Sequence, residues 1–222
     1  MSIIATHLTT SGGSGASSYT TASIAPGANR LILAAVSQQG NAGDATVTLS
    51  GNGLTWVQVA NVVSVTGTRQ FTLFRTIGSS PSSGVVTITC SATNIVMWSI
   101  SEFNGIDISG TNGSGALVQS ATRDNEGNAD TSTTITLGAF SNAANATFGA
   151  LYATIDALTI SAGTNFTLLS NITSPQSIGS EWRNDNATSV VLTYPSNSDI
   201  KLGLACEIKA DLAGGGALFA GI

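Results

Sequence analysis

The chain has 222 residues, of which 9% are charged and 42% hydrophobic, with 12 acidic against 7 basic side chains and a net charge of −5. Soluble proteins usually carry about 25% charged residues, so this surface must be built mainly from Thr, Ser, Asn, Gly and Ala; richness in β-branched residues with so little charge excludes a disordered chain. The absence of any Lys/Arg cluster excludes a nucleic-acid footprint, and no apolar run approaches the ~18 residues that span a bilayer.

Taken in order, Ser2 to Thr10 alternates weakly and precedes Ser11-Gly12-Gly13-Ser14-Gly15, which is expected to be a flexible joint after a first strand or a detached arm (residues 1–15). Arg30 to Val36 is a buried strand. Ala45 to Ser50 and Leu54 to Val65 flank Gly51-Asn52-Gly53, a hairpin signal, and Gln70 to Ile77 and Val85 to Ser91 flank a longer loop, Gly78 to Gly84, a second one. Asn94 to Asp107 follows, with Ile95, Met97, Ser99, Ser101 and Phe103 on one side of the pleat and Val96, Trp98, Ile100 and Glu102 on the other. Apolar groups leave both sides, so this strand belongs mid-sheet; Asn104-Gly105 tolerates positive φ and ends it at a corner.

A polar excursion from Ile108 to Asp130 holds a short strand at Leu117 to Ala121, and Thr131 to Phe140, Ala146 to Ile155, Asn165 to Ser170, Thr188 to Tyr194 and Ile200 to Asp211 read as further strands. Their even spacing, with no sustained helical periodicity, predicts one all-β domain over residues 16–211: a two-sheet antiparallel sandwich without a long helix. The expected core is Leu33, Val47, Trp56, Phe71, Leu73, Ile88, Met97, Trp98, Ile100, Phe148, Leu168, Val191 and Leu204. Residues 212–222 form a tail in which Gly214 to Gly216 precede an apolar end.

Segments Gly53–Ala60 (GLTWVQVA), Gln70–Thr76 (QFTLFRT), Gly84–Thr89 (GVVTIT), Val96–Asp107 (VMWSISEFNGID) and Leu202–Ala210 (LGLACEIKA) together resemble a jelly-roll module of the concanavalin-like type. Such modules recur in bacteriophage structural proteins and in bacterial secreted proteins. Met1 to His7 lacks the basic flank and long apolar region of a secretory signal, so within this resemblance the expectation is a protein synthesised in a host cytoplasm and displayed on a virion surface.

Chemical constellations are sparse, and no enzyme or cofactor is expected. His7 is the single histidine and sits far in sequence from any strained serine, so it reads as a bystander to triad chemistry. Glu102 and Glu207 are the one carboxylate pair suited to glycosidase work, although acids late in strands more often face solvent or pair with a neighbour such as Lys201 or Lys209. Asp124, Glu126 and Asp130 concentrate oxygen ligands as calcium would want, but without the spacing of an EF-hand loop; a solvated turn is preferred. Trp182, beside Arg183 and Asn184, is the tryptophan expected to be partly exposed and the candidate for stacking on a glycan. Cys90 and Cys206 read as buried free thiols. The apolar tail residues Leu218, Phe219 and Ile222 are expected to dock on a partner, giving a homo-oligomer, in expectation a trimer, on a larger assembly; the alternative is a tail folded back over its own sandwich. The functional expectation is a non-enzymatic virion structural protein, capsid decoration or tail or fibre component; the alternative is a carbohydrate-binding module for cell-surface glycans.

Overall fold

The computed structural model describes residues 2–40, 46–195 and 200–212. Among them are thirteen strands and no helix: β1 (Ile4–Thr20), β2 (Leu31–Gln39), β3 (Val47–Gly51), β4 (Val57–Val63), β5 (Arg69–Thr76), β6 (Val86–Asn104), β7 (Leu117–Asp124), β8 (Ser132–Thr136), β9 (Ala146–Ala153), β10 (Thr167–Ile172), β11 (Ser177–Arg183), β12 (Ser189–Thr193) and β13 (Lys201–Ile208). They form an all-β antiparallel sandwich. One sheet runs β1-β6-β2-β5-β4 with β3 also on β6, the second runs β10-β11-β9-β13-β7, and β12 and β8 make a third, two-stranded sheet.

Strand β6 is the axis. Its C-terminal half lies between β1 and β2, and its N-terminal half between β1 and β3. Met97 and Phe103 enter the core between the two large sheets, where they meet Phe148 and Cys206. Val96, Trp98 and Ile100 enter a separate core on the outer face, which also contains Val86, Ile88 and Cys90 from the other half of the same strand. All six of those residues share one pleat face, so the sheet must curl until its far half covers its own back. That is why β2 is buried on both faces: Leu31, Leu33 and Ala35 in the inner core, Ile32, Ala34 and Val36 in the outer one.

The second sheet solves the same problem differently. Leu151, Ala153 and Ala205 on its outer face are covered by Ile135 of β8 and Val190 and Leu192 of β12. The two-stranded sheet is therefore a lid over strands β9 and β13, each buried along its whole length. Val191, expected in the core, is half exposed, and its neighbours Val190 and Leu192 are the buried pair: a one-residue difference in register exchanges the two faces. Leu168 is likewise 41% exposed, and Trp56 only half buried at the edge of the outer core.

Other expectations are corrected by pairing. Ser11 to Gly15 is part of β1, paired to β6 with bulges, and not a joint. Gly12 and Gly13 are there for close approach, since a Cβ on Gly12 would lie 2.3 Å from Met97 Sδ and one on Gly13 would lie 2.5 Å from the Tyr19 ring, while Gly15 serves a positive φ of 79°. Neither anticipated hairpin forms: β3 pairs with β6 and β4 with β5, while β2 lies between β5 and β6. The Gly51-Asn52-Gly53 turn instead binds the 78–84 loop, with Asn52 Nδ2 donating to the carbonyl of Ser82 at 2.8 Å. The corner after β6 is as expected, with Gly105 at φ 74° and a Cβ there only 2.5 Å from the Ser2 carbonyl.

Trp98 is 3% exposed and packs against Tyr19 at 6.4 Å between ring centroids. Trp98→Ala should cost about 3–5 kcal/mol in a urea melt; a loss below about 1 kcal/mol would show that the outer-face core is not part of the cooperative unit.

Candidate functional site

The two glutamates considered as a catalytic pair cannot share a cleft. Glu102 lies on the outer face of the first sheet, where Oε2 accepts the Gly27 N–H at 2.8 Å and Oε1 pairs with Arg30. Glu207 is on β13 among side chains alternating with Leu204, Cys206 and Ile208, and so points to the outer face of the second sheet. It is fully buried and accepts from Gln119 Nε2 and Asn145 Nδ2, both at 2.6 Å. The whole inner core separates the two, and Lys209 pairs with Asp107 at 2.7 Å instead of with Glu207. The Lys209 hydrogen bond, with help from Ser109, holds the Asp107 carboxyl down at about 2.

The oxygen-rich loop after β7 is also committed elsewhere. Asp124 Oδ2 accepts the Val65 N–H at 2.9 Å and Glu126 Oε2 the Thr66 N–H at 3.0 Å, so these acids fasten the β4–β5 turn to the edge of the opposite sheet. Among the described residues no group of three or more His, Cys, Asp or Glu comes together as a metal site. His7 Nδ1 lies 3.4 Å from Ser101 Oγ, and burial holds the imidazole below its usual value. Cys90 and Cys206 are free and lie in different cores. Burial pushes the Cys90 thiol up to about 11 and raises Cys206 as well, so neither offers a reactive thiolate.

Trp182 is partly exposed, as expected, and part of its ring is taken up by packing. It lies on β11 (a strand missed from the sequence because Ser, Gly and Glu occupy it), with its ring against the inner core, 6.3 Å from Phe103. Two neighbours on β11 are more informative. Ser180 forms a closed hydroxyl triangle with Ser99 and Ser170, at 2.7, 2.8 and 2.9 Å, which joins the two large sheets. Glu181, fully buried under the lid, accepts the Gly163 N–H at 2.7 Å through Oε2, and burial raises its carboxyl from 4.5 to about 7. Leu218, Phe219 and Ile222 lie outside the described residues.

The concave surface of interest is on the outside of the lid. Ser161 and Thr193 exchange both backbone hydrogen bonds, at 2.8 and 3.0 Å, so the 159–163 segment flanks β12 on the side away from β8. Alternation then turns Ser132 and Thr134, Val191 and Thr193, and Thr159 and Ser161 outward on neighbouring rows. One hollow of about 580 Å³ is lined by Thr131, Ser132, Thr159, Ser161 and Thr193 over Val191, with Tyr194 and Pro195 completing it. A second, of about 450 Å³, shares Val191 and Thr193 and extends past Gly163 to Phe166, Arg183 and Ser189. Arg183 sits 5.9 Å from the Phe166 ring centroid while its Nε donates to Asp185 at 2.5 Å. Sequence reading missed this groove; the outward Ser/Thr alternation in β8 was its only visible sign.

The raised Glu181 carboxyl fixes a pH dependence. The folded chain retains a proton that the unfolded chain gives up near 4.5, so this stabilisation is complete below that pH and is lost as pH rises through about 7. The loss should approach about 3 kcal/mol. His7 acts oppositely below 6.5, so the measurement is the difference between wild type and Glu181→Gln in urea melts from pH 4 to 8. The difference should shift in favour of the variant as pH rises and be flat if Glu181 ionises normally. No protein-family model, curated protein or solved structure matches this chain.

Proposed function

We propose that the chain is a non-enzymatic structural protein displayed on the outside of a bacteriophage particle, as capsid decoration or as part of a tail or fibre, with a concanavalin-like jelly-roll body that assembles as a homotrimer. The observation that carries this reading is a group of exposed apolar side chains gathered at one end of the body. Gly105 packs against Ser2, Ile106 bridges to Ala210, and the Asp211 N–H donates to the Gly105 carbonyl at 3.0 Å, which gathers the N-terminus, the corner after β6 and the exit of β13 at one place. Ile4, Ile108 and Leu212, in these three segments, are 59%, 57% and 53% exposed. Burying such side chains against a partner is favourable by about 1.5–3 kcal/mol each, and the apolar residues Leu218, Phe219 and Ile222 follow in sequence from this same end. The dispersal of the acids into structural bonds agrees with a role in which surfaces, not reacting groups, do the work.

A lectin-like module for cell-surface glycans is the second reading, and the hydroxyl-lined groove along β12 favours it. For the first, light scattering should give the mass of a trimer, and the protein should sediment with purified phage particles. Replacing Ile4, Ile108 and Leu212 together by Lys should yield a folded monomer that no longer sediments with particles. A wild-type monomer that remains in the supernatant, or a triple variant that assembles and attaches unchanged, would overturn the proposal.

A further inference from the structure

We infer that the groove on the outer face of the lid binds an extended, uncharged oligosaccharide, with β12 as its floor and the 159–166 segment as its wall. This deepens the lectin-like reading and does not depend on attachment to a particle. Three observations carry it.

The first is the lining. Thr131, Ser132, Thr159, Ser161 and Thr193 contribute hydroxyls that both donate and accept, as sugar hydroxyls require. Val191 supplies an apolar patch between them, and Phe166, beneath Arg183, adds apolar surface at the far end. The second is charge. No acidic side chain lines either hollow, so neither suits a cation. The one cation, Arg183, is already held by Asp185 and lies over Phe166, which leaves its remaining N–H groups to serve hydroxyl oxygens. The third is shape. Both hollows border Val191 and Thr193, so they continue one another along β12 and suit a chain of several units.

An extended peptide is the competing occupant, and the backbone argues against it. Peptides join a sheet by pairing with a free strand edge. At Thr193 β12 has none, because β8 occupies one side and Ser161 closes the other, and beside Val191 the wall at Gly163 stands against the carbonyl. What remains for a ligand there is the side-chain face, where Ser and Thr hydroxyls flank apolar surface from Val191, Tyr194 and Pro195. Gly163 contributes to the depth: a Cβ there would lie 2.4 Å from the Val191 carbonyl oxygen, so the wall approaches the floor with no side chain in the row.

The test uses the full chain, labelled, on an array bearing bacterial-surface polysaccharides and neutral plant and fungal oligosaccharides, with an array of extended peptides beside it. The bound oligosaccharide is then titrated calorimetrically against wild type, Ser161→Tyr, Thr159→Arg and the remote variant Thr89→Arg. Positions 159, 161 and 89 are exposed, so all three variants should fold, which a thermal melt checks. Binding to an uncharged oligosaccharide, weakened tenfold or more by Ser161→Tyr and Thr159→Arg and unchanged by Thr89→Arg, is the expected result. Binding to no oligosaccharide, preference for a peptide, or equal affinity in the groove variants and wild type would overturn the inference. Particle attachment is read separately, so either conclusion can fail without the other.

Discussion

Everything in this molecule depends on covering both faces of its central strands. A strand such as β6, β9 or β13 that carries apolar side chains on each side of the pleat leaves one set in water if its sheet packs against only one neighbour. Two different devices meet the demand. The first sheet lengthens two of its strands, β1 and β6, and curls them until Ile88 and Cys90 reach Trp98 and Ile100. The second borrows a separate pair of strands, β8 and β12, whose Ile135, Val190 and Leu192 close over Leu151 and Ala205. The result is three cores in series, where a simple sandwich would have one.

Stacked layers need fixed registers, and buried polar groups supply them. Ser99, Ser170 and Ser180 can each donate once and accept once in their triangle, so the contact between sheets is saturated only when all three are in place. Glu207 ties β7 to the 145 corner through Gln119 and Asn145. Under the lid, Asn125 donates to Thr133 and Tyr194, while the fully buried Lys201 donates to the Asn128 carbonyl at 2.7 Å and lies 5.2 Å from the Tyr194 ring centroid. These bonds cost more when broken than they contribute when made, because an abandoned partner would be left dry. Their value is in excluding slipped arrangements that apolar packing alone would tolerate.

The double-sided strand at Asn94 to Asp107 was legible because alternation failed there: apolar residues on both faces can only mean cover on both faces. The corner at Asn104-Gly105 was legible for a similar reason, being a local requirement on φ. Pairing was not, since Gly51-Asn52-Gly53 would serve a hairpin as well as it serves the loop contact that it makes, and nothing local says that β2 will come between β5 and β6. Strand β11 was hidden because Gly179 and Ser180 have no apolar signature; a Cβ on Gly179 would lie 2.7 Å from the Ile160 side chain, and that fact exists only in the assembled layers. The groove was hidden for the same reason, as its rows come from three distant segments, and Trp182 drew the glycan expectation to a ring that is packed in part against the inner core.

The pairing of β1 with β6 also sets the order in which the chain can fold as it is synthesised. Ile4 waits for Asn104 and Thr20 for Thr87, and at about 5–20 residues per second a ribosome needs seconds to deliver them, whereas a local hairpin closes in about 1–10 μs. Through that interval an uncharged strand of 17 residues has no partner. Segments that aggregate are β-prone and poor in glycine. Gly12, Gly13 and Gly15 interrupt such a segment at its centre, so Gly12 and Gly13, which let Met97 and Tyr19 approach in the finished sheet, also join Gly15 in keeping the waiting strand from pairing with that of another nascent chain.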